Sequence, residues 1–182
     1  RDGNVILLRR TTPFAVSVVD GQGGANIAAY SQKVQRFSDL PKRCFDGVTL
    51  KVTGNAAEEE DDYFVRYTGS VDDGAWEEVA EPGSIRGLDN STMPLSVTPV
   101  WIGNTLDRLR IRQGNWDKRL AGDDTSNPMP SFVGNRINDI FLYRNRLGFL
   151  TNSSAVMSAD GSFRNFFRDT VTTITDADVI DV

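Results

Sequence analysis

The residues with the clearest chemical potential in this chain are arginines spaced by two: Arg108, Arg110 and Arg112, and then Arg144 and Arg146, with Lys118 and Arg119 between them. On an extended strand a spacing of two puts side chains on one face. A row of planar guanidinium forks fits two kinds of partner, phosphate oxygens and carboxylates. Phosphate binding draws on a positive field, and residues 101–182 carry no net charge, although 107–168 alone are +4. Binding of nucleic acid would also call for aromatic side chains interleaved on an exposed sheet. Phe141, Tyr143, Phe149, Phe163, Phe166 and Phe167 fit a core better. The reading that follows is a protein–protein surface, with Arg108, Arg110, Arg112, Arg144 and Arg146 as a candidate subunit interface.

Catalytic constellations are sparse. The chain has no histidine, which removes Ser-His-Asp and Cys-His catalysis and His-ligated zinc. The single cysteine, Cys44, cannot form an internal disulfide and is expected as a small buried or half-buried apolar residue. Gly21-Gln-Gly-Gly24 lacks the following Gly-Lys-Ser/Thr of a phosphate loop and reads as a turn. A glycosidase needs only two carboxylates, and Glu77, Glu78, Asp117, Asp123 and Asp124 are available in principle. Asp176, Asp178 and Asp181 have the oxygen chemistry of a calcium site but lack the glycine and terminal glutamate of an EF-hand loop. Alternating aspartates on an exposed strand face is the simpler reading. No catalytic residue, cofactor ligand or metal ligand is assigned.

The elements that must position these residues are strands. Apolar residues alternate at Val48, Leu50 and Val52, at Tyr63, Val65 and Tyr67, and at Leu109 and Ile111, so each run should turn one face to a core. Further strands are expected at 4–9, 14–19, 75–80, 95–102, 137–144, 146–151 and 154–159. Asp20–Gly24, Thr53-Gly54-Asn55, Asp73-Gly74 and Asp160-Gly161 supply turns, and Pro13 sits between two runs. Helix is scarce. Ser38 or Asp39 could cap a short helix with Pro41 in its first turn, 165–168 could form a single turn, and 25–36 leans weakly to a short helix. The fold class is mainly β, a β-rich α+β arrangement with antiparallel sheets and a few short helices.

A length of 182 residues allows one or two small domains. A soft boundary near 103 divides a small β-rich module, 1–103, from a hairpin-rich one, 104–182, which holds a long loop at 113–136. With 39% hydrophobic and 25% charged residues the composition is that of an ordered chain, and no apolar run approaches the ~20 residues of a membrane span. Net charge is −5, all of it within 1–100 and much of it in Glu58-Glu-Glu-Asp-Asp62, expected as a solvated loop. A start at Arg1 and a stop in the strand-like Val179–Val182 suggest a piece of a larger protein.

An ordered series of short motifs is more specific than any of these. Phe37-Ser-Asp-Leu-Pro41 is followed by Asp62-Tyr-Phe-Val65, Trp76-Glu-Glu78, Pro82-Gly83 and Thr92-Met-Pro94. Then come Trp116-Asp-Lys-Arg119, Gly122-Asp123, Asn127-Pro-Met-Pro-Ser-Phe132, Arg144-Asn-Arg-Leu-Gly-Phe-Leu150 and Asp178-Val-Ile-Asp181. Over residues 37–182 the series resembles the nozzle protein (tail tubular protein B) family of short-tailed bacteriophages. The resemblance implies an internal fragment of a structural, non-enzymatic virion protein of the tail, assembled in the host cytoplasm. It implies a C-terminal part belonging to a β-propeller-like body. It also implies a ring of six copies of the chain, partnered by the tail adaptor ring and tail fibres, with phage DNA passing through at ejection and no membrane insertion. Two other readings stay open: a virion-associated glycan hydrolase using a carboxylate pair, and a carbohydrate-binding β module with Trp76 or Trp116 in a groove. Within the motifs, Gly148 interrupts an apolar strand and should mark a bulge or a close backbone approach, and Arg146 should have a fixed carboxylate or carbonyl partner.

Overall fold

A computed structural model describes residues 2–12, 14–23, 26–54 and 62–182. Pro13, Gly24, Asn55 and the acidic run 58–61 lie outside the described residues. Among the described residues ten strands form three sheets, and the chain divides into two compact units. Apart from one 3-10 turn, no helix occurs among the described residues, so none is long and apolar enough to cross a membrane.

The first unit comprises Arg1–Ser84, Leu120–Asn127 and Thr170–Thr173. Its sheet runs β1 (Lys33–Val34), β2 (Thr49–Val52), β3 (Tyr63–Gly69) and β4 (Gly74–Val79), antiparallel except for the β1–β2 pair. The alternation expected for β2 and β3 is realised. Leu50, Val52 and Val65 are buried and pack with Leu40, Tyr67 is buried as well, and Arg66 and Thr68 face out. The β3–β4 register sets Tyr67 opposite Trp76, whose rings meet edge to face at 5.3 Å, and the Trp76 indole donates to the Pro41 carbonyl at 2.8 Å.

Several expectations fail in this unit. Residues 4–9 and 14–19 form no strand. Ile6, Leu8 and Val19 are exposed, because alternation becomes a strand only where a partner completes the ladder. The described part of 25–36 is not helical. Gln32 has φ +59, and Lys33–Val34 instead pair with β2. The short turn begins one residue early, Phe37–Asp39, with Arg36 as N-cap, and Asp39 accepts the Arg36 N–H. Leu40 is extended, as a residue before proline prefers, so Pro41 follows the turn rather than opening it. Asp62, expected in a solvated loop, is buried and pairs with Lys51 at 2.7 Å.

The second unit comprises Ile85–Arg119, Pro128–Asp169 and Ile174–Val182. Strands β7 (Asp139–Tyr143), β8 (Arg146–Leu150), β9 (Ala155–Met157) and β10 (Ile180–Asp181) form an antiparallel sheet in chain order. Its core is aromatic: Phe132, Phe149 and Phe166 lie 5.0 to 5.2 Å apart, with Met93, Val156 and Trp116 around them. The Asn127–Phe132 motif therefore serves packing, with Pro130 accepting the Val133 N–H as the chain carries Phe132 inward. Residues 165–168 form no helical turn, because the Asn165 side chain caps the Phe167 N–H instead. Asp176 and Asp178 lie in a turn rather than on a strand, and only Asp181 is on β10.

The unit's other sheet is a two-stranded hairpin of β5 (Leu95–Ile102) and β6 (Thr105–Gln113). Gly103 at φ +59, followed by Asn104, makes the two-residue turn, the left-handed conformation favouring glycine there. Position 103 is thus a hairpin tip, and the two compact units interleave along the chain, the first crossing falling between Ser84 and Ile85.

Candidate assembly surface

The β5–β6 hairpin holds most of the candidate arginines. Its register pairs Ser96 with Arg112, Thr98 with Arg110 and Val100 with Arg108, which sets the three guanidinium groups on one face. The opposite face carries Leu95, Val97, Pro99, Leu109 and Ile111. Every residue of β6 is exposed. Leu109 and Ile111, expected in a core, are about 60% exposed, because no described element covers that face. A bulge between Val100 and Trp101 shifts the ladder beyond it, so that Trp101 faces Leu106. Arg108 pairs with the neighbouring Asp107 at 2.7 Å, whereas Arg110 and Arg112 form no ion pair among the described residues.

The other candidate arginines separate by burial. Arg144 is exposed, its guanidinium over the Tyr143 ring at 5.4 Å, in the β7–β8 turn, where Arg144 and Asn145 both have positive φ. Arg146 departs from the expected surface group. It is buried, and it donates to the carbonyls of Ser158 (2.7 Å), Asp178 (2.6 Å) and Asp176 (2.5 Å). The fixed carbonyl partner expected for it is present, and this use keeps it from an outer surface. Arg119 is also fully buried, donating to the Ile85 carbonyl at 2.8 Å.

The carboxylates hold structure. Glu78 accepts the Val171 N–H at 2.9 Å and the Thr170 hydroxyl, and Glu77 accepts from Thr68. Partial burial would raise the Asp123 carboxyl, but the N–H groups of Ser126 and Thr125, the Ser126 hydroxyl and the Lys51 charge hold it below the usual aspartate range. Asp178 accepts the Thr175 N–H and Asp181 the Ser131 N–H. No group of three metal-ligating side chains gathers among the described residues. Burial pushes the Cys44 thiol up, opposing thiolate chemistry. Burial, then the Glu78 charge, raises the Tyr63 phenol. Trp76 and Trp116 are half-buried in aromatic clusters and offer no flat platform for a sugar.

Glu77, Glu78, Asp123, Asp178 and Asp181 thus brace turns and strands, and what the second unit turns outward is an arm with one arginine face and one apolar face. The chain belongs to the bacteriophage nozzle protein family, whose model matches residues 1–182, and it is accordingly a structural component of a phage tail, carried in the virion. It is 32% identical over 163 residues to "Tail tubular protein gp12" of Escherichia phage T7, an alignment covering 90% of this chain. The matched region is 20% of that relative's length.

Proposed function

We propose that this chain is a part of a nozzle subunit that assembles as a closed ring of six copies at the distal end of the tail, below an adaptor ring. In this reading the ring docks tail fibres and gives the phage genome a passage during ejection. The observation that carries the copy-to-copy contact is the β5–β6 arm, every β6 residue of which is exposed, with Arg110 and Arg112 free of ion pairs among the described residues. Guanidinium groups so placed suit carboxylates of a neighbouring subunit, and Arg108 and the exposed Arg144 extend the same chemistry. A net charge of −5 suits a channel wall that must release DNA phosphates.

The up-and-down order β7–β8–β9–β10 is the strand order of a propeller blade, which supports reading it as a portion of a larger propeller-like body. A glycan hydrolase is less well supported, since Glu78 and Asp123 are committed to structural hydrogen bonds. The test is the mass of the full-length parent in solution, with and without the adaptor. A discrete ring that binds the adaptor supports the reading, and a monomer indifferent to it overturns the reading.

A further inference from the structure

The apolar face of the arm calls for an explanation that the arginine row does not provide. An isolated two-stranded hairpin is marginal in water, and stability normally requires a third strand or a packed face. Here eight- and nine-residue strands pair along their length with large apolar side chains open on one side: Leu95 at 59%, Val97 at 55%, Leu109 at 60% and Ile111 at 63% exposure. The face does not stop at the base of the arm. Leu95 also lines an open groove of 640 Å³ in which Leu88, Val133 and Ile137 stand beside Asp89 and Arg136, so apolar surface runs from the groove to the arm with charged groups at its side. Contiguous exposed apolar surface of this kind marks an interaction site.

Charge identifies the occupant. Within the hairpin three arginines stand against one aspartate, while residues 1–94 carry ten basic and fifteen acidic side chains. Two arms laid side by side would oppose their arginine rows. An arm laid on the acidic part of another copy meets complementary charge. Such a contact is head-to-tail, the type that closes into a ring.

We infer that the arm inserts into the next copy of the same chain, with Val97, Leu109 and Ile111 as its buried apolar contact and Arg110 and Arg112 meeting that copy's carboxylates on the other face. The inference rests on the ring reading above and adds to it the apolar contact and its direction. The two faces respond differently to salt. Carboxylate contacts of the arginine row weaken as ionic strength rises, and the apolar contact does not.

The experiment uses the full-length parent protein and reads the concentration at which the ring half-assembles, across a range of salt. Leu109→Ser with Ile111→Ser should raise that concentration about tenfold or more at every salt concentration, as loss of a central apolar contact does. Arg110→Gln with Arg112→Gln should raise it at low salt and matter little at high salt. Both pairs are exposed, so far-UV circular dichroism and thermal melting of the 182-residue chain should match the unsubstituted chain. A photo-crosslinker at Val97, in a mixture of ¹⁴N and ¹⁵N copies, should give mixed-isotope products. Unchanged assembly of the serine variant overturns the inference, as do crosslinks confined to one isotope, which would assign the face to the parent's own chain. Crosslinks to the adaptor alone overturn it in favour of that partner. A wild-type parent that forms no ring at any concentration would instead overturn the ring reading itself.

Discussion

The ring of Phe141 lies across the backbone of Gly148, its registered partner on the neighbouring strand. A β-carbon built at position 148 would collide with three atoms of that ring. The aromatic covers the gap that a glycine leaves in a strand, and Gly148 and its neighbour Phe149 are both buried.

Gly148→Ala should therefore destabilise the second unit by about 1–3 kcal/mol through overpacking. Phe141→Leu in the same chain should recover part of that loss. Denaturant midpoints of the four chains of this cycle measure it. A neutral Gly148→Ala would mean that the Phe141 ring does not occupy the space.

Arg146 ties β8 to the turn that leads into β10 through the carbonyls of Asp176 and Asp178. Arg146→Ala should cost about 1–3 kcal/mol, because it leaves the carbonyl of buried Ser158 without its donor and releases those of Asp176 and Asp178. Arg146→Lys should restore little, since a single ammonium cannot reproduce the planar fork. Amide exchange at Val182, which donates to Ala155, should accelerate selectively in both variants. Uniform acceleration across the sheet would show that Arg146 supports the whole unit rather than its last strand.

Arg144 occupies the first central position of a two-residue turn at φ +45, where asparagine or glycine is at ease. Arg144→Asn should raise stability by about 0.5 kcal/mol, less whatever the Tyr143 contact contributes. A fall in melting temperature would show that the contact with Tyr143 outweighs the backbone strain.

Asp123 has a depressed folded-state pKa. Its contribution to stability is present above the ordinary aspartate value of about 4 and is lost as pH falls through the folded value. Asp123→Asn should lower stability at neutral pH and flatten the acid limb of the stability curve below about pH 4. Urea midpoints from pH 6 to pH 2.5 read both effects. An acid limb of unchanged steepness would assign the proton uptake to another carboxylate.

The strands from β2 to β9 were legible in the sequence where alternation met a turn: Asp73-Gly74 closes β3–β4, and the run 95–102 is β5 to the residue. Residues 4–9 and 14–19 have similar alternation and no ladder, since periodicity describes one strand and says nothing of a partner. The same limit explains the arginines. Spacing placed Arg108, Arg110 and Arg112 on one face, but it could not show that the apolar side of β6 lies open while the strand at Arg146 is covered. What distinguishes Arg112 from Arg146 is a tertiary carbonyl cage built from residues 158, 176 and 178.

The most direct measurement is the mass of the full-length parent protein in solution, wild type beside Arg110→Glu with Arg112→Glu, each with and without the adaptor ring. The expected result is a discrete six-copy ring that docks on the adaptor for the wild type and smaller species for the charge-reversed protein. A wild-type monomer that ignores the adaptor, or a charge-reversed protein that assembles normally, would contradict assembly through the β5–β6 arm.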